Sequence, residues 1–163
     1  MKKLDVRKLV VAALLSSFAC VATMIIQIPN GIGGYFNIGD CIVLLCGWLL
    51  GPVYGALAAG VGTMLADIFA SYVVYAPVTF FIKALMAIVA FLIAKGNGRI
   101  KAALSGILAE ILMVLGYFAY ESFLYGVGTA SLGVIPNLLQ GAAGIGCALI
   151  LKEFIDKKKL WRY

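Results

Sequence analysis

The chain contains no histidine in 163 residues. That removes the commonest side-chain metal ligand and the general base of Ser/His hydrolases, and with them zinc proteases and triad enzymes. Charge is also scarce, at 12% of residues, against about a quarter in ordinary globular domains. The four cysteines, Cys20, Cys41, Cys46 and Cys147, lie in apolar segments without C-x-x-C spacing. They read as small packing residues, and neither a disulfide framework nor a zinc site is expected. No GxxxxGK[ST] phosphate loop occurs, and "KGNGR" (95–99) has neither its spacing nor its hydroxyl residue. An aspartate-rich lipid phosphotransferase motif is missing too. The expectation is a protein that is not an enzyme, has no cofactor or metal of its own, and leaves any use of ATP to another subunit.

What is abundant is apolar surface: 64% of residues are hydrophobic and mean hydropathy is +1.07. This composition belongs to an integral membrane protein, and at about 20 residues per span the chain holds roughly six. Residues 1–163 are therefore expected to form a single all-α transmembrane domain, a six-helix bundle with no separate soluble domain. The basic start, Met1 to Lys8, leads into an apolar run as long as a full span with no evident cleavage site, so the first helix is expected to be retained.

Apolar stretches predict helices over 8–28, 38–50, 52–70, 76–94, 102–125 and 135–152. The breaks between them carry Gly, Pro or Asn, with Pro52, Pro77 and Pro136 placed for first helical turns. The helix over 38–50 is too short to cross about 30 Å of hydrocarbon upright at 1.5 Å per residue. A crossing pair or a re-entrant hairpin with the next helix is expected there.

The net charge of +6 does not point to nucleic acid, because the cations sit at loops and ends. Lys2, Lys3, Arg7 and Lys8 precede the first helix; Lys95, Arg99 and Lys101 separate the fourth and fifth; Lys152, Lys157, Lys158, Lys159 and Arg162 follow the sixth. Six spans put these twelve of the thirteen cations on one side, which the positive-inside rule makes cytoplasmic, together with both termini.

The thirteenth cation is Lys83, inside "YAPVTFFIKALMAIVAFLIAK" (75–95). A cation at the bilayer centre costs at least about 2.5–3.5 kcal/mol, so it needs a partner or a task. Asp67, Glu110 and Glu121 are candidate partners, and Asp40 is placed to cap the second helix. Most intramembrane polar residues fall in the outer half of the expected bundle: Tyr35, Asn37, Asp40, Asp67, Tyr75, Tyr117, Glu121, Asn137 and Gln140, with Lys83 just below. Aromatic walls with a few convergent polar groups make an outward-facing small-molecule site. Asn137 and Gln140, three apart in "PNLLQ", share one helix face. A small oligomeric channel or ion-coupled carrier would use the same charges, but no helix carries a polar stripe along its whole length.

Small residues recur at four-residue spacing: Ala12, Ser16, Cys20; Gly51, Gly55, Ala59; Ala58, Gly62, Ala66. In lipid such stripes let helix backbones approach closely. On the first helix the same face is open to a partner protein.

"GYFNIGDCIVLLCGWLLGPVYGALAAGVGTMLADIFASYVVYAPVTFFIKALMA" (34–87) and "IPNLLQGAAGIGCALIL" (135–151) resemble the substrate-binding S components of energy-coupling-factor (ECF) transporters. The riboflavin, pyridoxine and hydroxymethylpyrimidine branch is the nearest in pattern, through N-x-G-D, L-x-G-P-x-x-G, A-D and Y-A-P-x-T-F-x-x-K. The resemblance implies a six-helix protein of the bacterial-type plasma membrane. It captures a vitamin or precursor in an outward-facing site under a lid between the first two helices, here "IPNGIGGYFN" (28–37). It also implies partners, one transmembrane coupling subunit and two cytoplasmic ATPases of ABC type, on which the loaded protein topples to deliver its cargo. In such proteins two alanines four apart on the first helix contact the coupling subunit. This sequence offers Ala12 with Ser16, or Ala13 with Ser17. One cation, several acids, two amides and many tyrosines suit a compact aromatic ring near neutral charge, pyridoxine or hydroxymethylpyrimidine first and riboflavin next.

Overall fold

The computed structural model describes residues 6–29, 34–94 and 98–158. Residues 30–33 of the expected lid, with two of its three glycines, and the cations Lys2, Lys3, Lys95, Lys159 and Arg162 lie outside the described residues. The elements are α1 (Val6–Ile25), β1 (Ile28–Pro29), β2 (Tyr35–Phe36), α2 (Asp40–Phe69), α3 (Ala76–Ala94), α4 (Arg99–Tyr125) and α5 (Val127–Lys157). All five helices are long and apolar enough to cross a membrane.

Five continuous elements are described where six helices were expected, because α2 joins two helical arms across a kink. The expected helices over 38–50 and 52–70 join without a loop, because the chain turns on one residue, Gly51, at φ 81° and ψ −174°. That conformation is open essentially to glycine alone. A Cβ at Gly55 would stand 2.5 Å from the Cys46 carbonyl oxygen, nine residues earlier. In a straight helix those residues would be about 13 Å apart along the axis. The two arms of α2 therefore fold back on each other, and Pro52 opens the second arm, where its missing N–H costs nothing.

Helix α1 stops at Ile25, short of the expected residue 28, and the chain becomes a two-residue strand at Ile28–Pro29. The residue preceding a proline is pushed out of the α region, which favours an extended Ile28. Its strand pairs antiparallel with β2, Ile28 opposite Phe36 and Pro29 opposite Tyr35. This small hairpin was not legible in the sequence. Helix α5 begins at Val127, eight residues before the expected start, and Pro136 lies inside it. Gly126, at φ 85°, separates it from α4.

Helices α2 and α3 pack most extensively on each other; α1 covers α2, and α5 packs on α4 and α2. The contacts run through small residues: Gly62 abuts the Ser16 backbone of α1, and Gly47 abuts that of Ala87 in α3. The core holds Val43, Leu44, Cys46, Ala59, Met86, Ala87 and Met113, each at most 1% exposed. Trp48 donates to the Ser105 hydroxyl at 2.9 Å, tying α2 to α4 without an orphaned indole N–H.

Connectivity gives the bundle two distinct ends. The segment 34–37, the end of α2, the start of α3, the end of α4 and the first half of α5 meet at one. The starts of α1 and α4 and the ends of α3 and α5 lie at the other, where Arg99 and Glu153 approach to 3.7 Å. The described cations other than Lys83 belong to that second end.

Candidate functional site

Lys83 lies on the inner face of α3, at 2% exposure. Its ammonium pairs with Asp40 Oδ1 at the start of α2, and it stands 5.5 Å from the centre of the Tyr117 ring, within cation–π range. The expected partners were Asp67, Glu110 and Glu121. Asp40 takes the place because the short first arm of α2 starts part-way down the bundle, beside the second turn of α3. Asp40, expected as a helix cap, is in the first turn; the N-cap is Gly39, without a side-chain cap bond.

The pair is wired toward the bundle end. Gln140 Nε2 donates to Asp40 Oδ2 at 2.6 Å, and its Oε1 accepts from Asn37 N at 2.9 Å and Nδ2 at 3.2 Å. Asn37 Oδ1 accepts from Gly39 N at 2.9 Å, closing the tight turn that leads into α2. These bonds fix the orientation of both amides and lace the segment after β2 to α5. Gly144 makes room for this layer: a Cβ there would stand 2.9 Å from Asp40 Cβ.

Above the layer is a hollow of about 350 Å³, its open mouth included. The segment around β2 contributes Gly34, Tyr35 and Asn37, and the end of α2 contributes Asp67. Tyr75 comes from the turn before α3 and Thr79 from its first turn, Tyr117 and Glu121 from α4, and Asn137 and Gln140 from α5. Eight of the ten candidate residues thus surround one space. Asp40 and Lys83 lie outside its lining, one layer deeper. Gly34 and Thr79 were missed; Thr79 could have been found, because Tyr75, Thr79 and Lys83 follow each other at i, i+4 on one face of α3.

Two phenol–carboxylate pairs organise the walls. Tyr35 donates to Asp67 Oδ1 at 2.6 Å, and Tyr75 donates to Glu121 Oε1 at 3.4 Å. The second oxygens, Asp67 Oδ2 and Glu121 Oε2, are buried without a hydrogen-bond partner. Thr79 lies close to Asp67, and its hydroxyl meets that of Tyr117 at 3.0 Å. Burial and then the Asp67 charge push the Tyr35 phenol well above its ordinary range; burial and then Glu121 do the same to Tyr75. Both phenols stay protonated donors. Around them, Tyr72 meets Tyr35 at a tilt of 50° with ring centres 4.6 Å apart, and Tyr120 meets Tyr75 edge-on at 5.6 Å.

Of the partner-docking candidates, Ala12 is 7% exposed and Ser16 backs onto Gly62, so that frame faces α2. Ala13 and Ser17 are exposed, the Ser17 hydroxyl bonding back to Ala13 O at 3.0 Å. Among the described residues no group of three or more Asp, Glu or Cys is arranged to hold a metal ion.

Comparison with known proteins agrees with this architecture. A protein from Pyrococcus woesei, described as "Uncharacterized protein in gap 3'region", is 37% identical over 143 residues, covering 83% of this chain and 95% of that one. A solved structure reported under "Structure and mechanism of the S component of a bacterial ECF transporter" shares the fold. It matches at TM-score 0.76 and 24% identity, covering 95% of this chain and 99% of that one. The family model for "ECF-type riboflavin transporter, S component" matches residues 3–157. With nearly the whole chain matched, this multi-pass membrane protein belongs to the family of ECF-type riboflavin transporter S components.

Proposed function

We propose that this chain captures a vitamin or vitamin precursor in the hollow beneath β2 and delivers it to the cytoplasm by docking and toppling on an ATP-driven ECF module. The family implies vitamin uptake through such a module, by a transport subunit that is not itself an enzyme. The observation that carries the reading is the separation of the two ends: polar and aromatic side chains surround a hollow at one, and the described cations other than Lys83 gather at the other. By the positive-inside rule the cationic end, with both termini, is cytoplasmic, and the hollow faces outward from the plasma membrane.

The preferred ligand is a compact ring, pyridoxine or hydroxymethylpyrimidine, with riboflavin next. Tyrosines with two acids and three amides around the hollow support a compact aromatic ring near neutral charge. The exposed Ala13 and Ser17 are the proposed contact with the coupling subunit, and two cytoplasmic ATPases supply the energy.

The test is a melting series of the purified protein against B vitamins and their precursors, since a ligand at 100 times its Kd stabilises by about 2.7 kcal/mol. One member of the panel is expected to raise Tm. No shift with any of them would overturn the reading, as would solute movement into liposomes that hold this protein alone.

A further inference from the structure

Among the described residues, none from α1 lines the hollow, yet two polar side chains at the end of that helix reach residues that do. Thr23, in the last turn of α1, is 3% exposed, and its hydroxyl is buried without a hydrogen-bond partner. It abuts Gly39: a Cβ there would run into Thr23 Oγ1 and stand 3.0 Å from Asn37 Oδ1. Asn37 Oδ1 accepts one bond, from Gly39 N, and a carbonyl oxygen has lone pairs for two. Gln27, two residues past α1, reaches the Tyr35 hydroxyl. That hydroxyl spends its proton on Asp67 Oδ1 at 2.6 Å, so toward Gln27 it can only accept. Helix α1 itself packs on α2 alone among the described elements, with Ala13 and Ser17 exposed on its far face.

Building on the capture reading above, we infer that Thr23 and Gln27 are positioning residues of the ligand site. Gln27 Nε2 donates to the Tyr35 oxygen and holds that phenol, part of the wall, in line with Asp67. Thr23 Oγ1 donates to the second lone pair of Asn37 Oδ1 as a bound ligand settles the turn at 37–39 against α1. Neither side chain touches the ligand. A wall held in its binding orientation loses less freedom when the ligand arrives, so affinity depends on both donors. The same two bonds tie an occupied hollow to α1, the helix whose exposed frame is proposed to meet the coupling subunit.

The experiment titrates riboflavin, pyridoxine and hydroxymethylpyrimidine into the purified full chain by calorimetry, and the tightest binder of these is the probe. Thr23→Val keeps the shape of the side chain and Gln27→Met its length, and each removes the donor. Each is expected to weaken the probe about fivefold, the worth of one hydrogen bond, with the Tm of the ligand-free protein unchanged. Thr23→Ser restores the donor and should bind as the native chain does. Tyr35→Phe removes the acceptor, so adding Gln27→Met to it should cost nothing more; should the Tyr35→Phe protein bind too weakly to measure, the split between affinity and ligand-free Tm decides. Each residue is judged by its own variant. Unchanged affinity, failure to fold, or a ligand-free Tm that falls together with affinity removes that residue from the inference while capture stands; so does a lack of rescue by serine at 23, or a full further loss from Gln27→Met on Tyr35→Phe. Removal of both overturns the inference. No binding of any of the three probes overturns it too, and silence across the wider vitamin panel takes the capture reading with it.

Discussion

Lys83 and Asp40, 43 residues apart in sequence, form an ion pair at 2% and 0% exposure, and Gln140 links that pair to the floor of the hollow. Neither charge is affordable alone in a bundle that sits in hydrocarbon. Removing one partner of a buried pair costs about 3–5 kcal/mol, because the other charge remains.

Lys83→Met is therefore expected to lower stability by about that amount, read as a fall in Tm in detergent. Adding Asp40→Asn to it should recover most of the loss, since the asparagine keeps an acceptor for Gln140 and sheds the orphaned charge. A double variant no more stable than the single one would place the role of Lys83 elsewhere.

Glu110 is 5% exposed and neither of its oxygens has a hydrogen-bond partner. It stands over Gly141 and Gly144, near Asp40. Replacing it with methionine, which fills similar space, is expected to stabilise the protein by about 1–3 kcal/mol by removing unsatisfied buried oxygens. A lower Tm for Glu110→Met would mean that the carboxyl has a partner in the working protein.

Gly51→Ala forces a Cβ onto a backbone conformation that tolerates almost none, so it should destabilise by about 1–3 kcal/mol. Gly128→Ala is the matched control: it lies in α5 with nothing within 4 Å of the added methyl, and should stabilise by about 0.5–1 kcal/mol. Melting temperatures of the two variants that shift in the same direction would contradict the fold-back at Gly51.

On α1 the two four-residue frames predict opposite phenotypes. Ser17→Trp projects from the exposed frame and is expected to leave vitamin affinity unchanged while abolishing uptake driven by the ECF module. Ser16→Trp is expected to disrupt the α1–α2 contact at Gly62 and to lower Tm with or without ligand. Normal uptake by the Ser17→Trp protein would remove this face from the docking proposal.

Much of the architecture was written in local composition. Apolar runs with Gly, Pro or Asn between them gave five of the helical regions to within a few residues at most ends, because a bilayer demands internally bonded backbone over a set length. The large miss is the early start of α5 at Val127. A proline or glycine signals a possible break, and packing decides whether the chain takes it: at Gly51 the backbone leaves the helical region and the chain folds back, whereas Pro136 was absorbed within α5.

The sequence by itself determined that the polar groups would gather near one end, since residues such as Tyr75, Thr79 and Lys83 are ordered along a single helix and cations mark its opposite side. It did not determine which acid meets Lys83, or which of the two α1 frames stays open. Those choices depend on contacts between residues tens of positions apart, fixed by how far the first arm of α2 descends and by the backbone approach that Gly62 permits. Only the folded chain brings Asp40 to Lys83 and so leaves Asp67 and Glu121 as the acids that line the hollow.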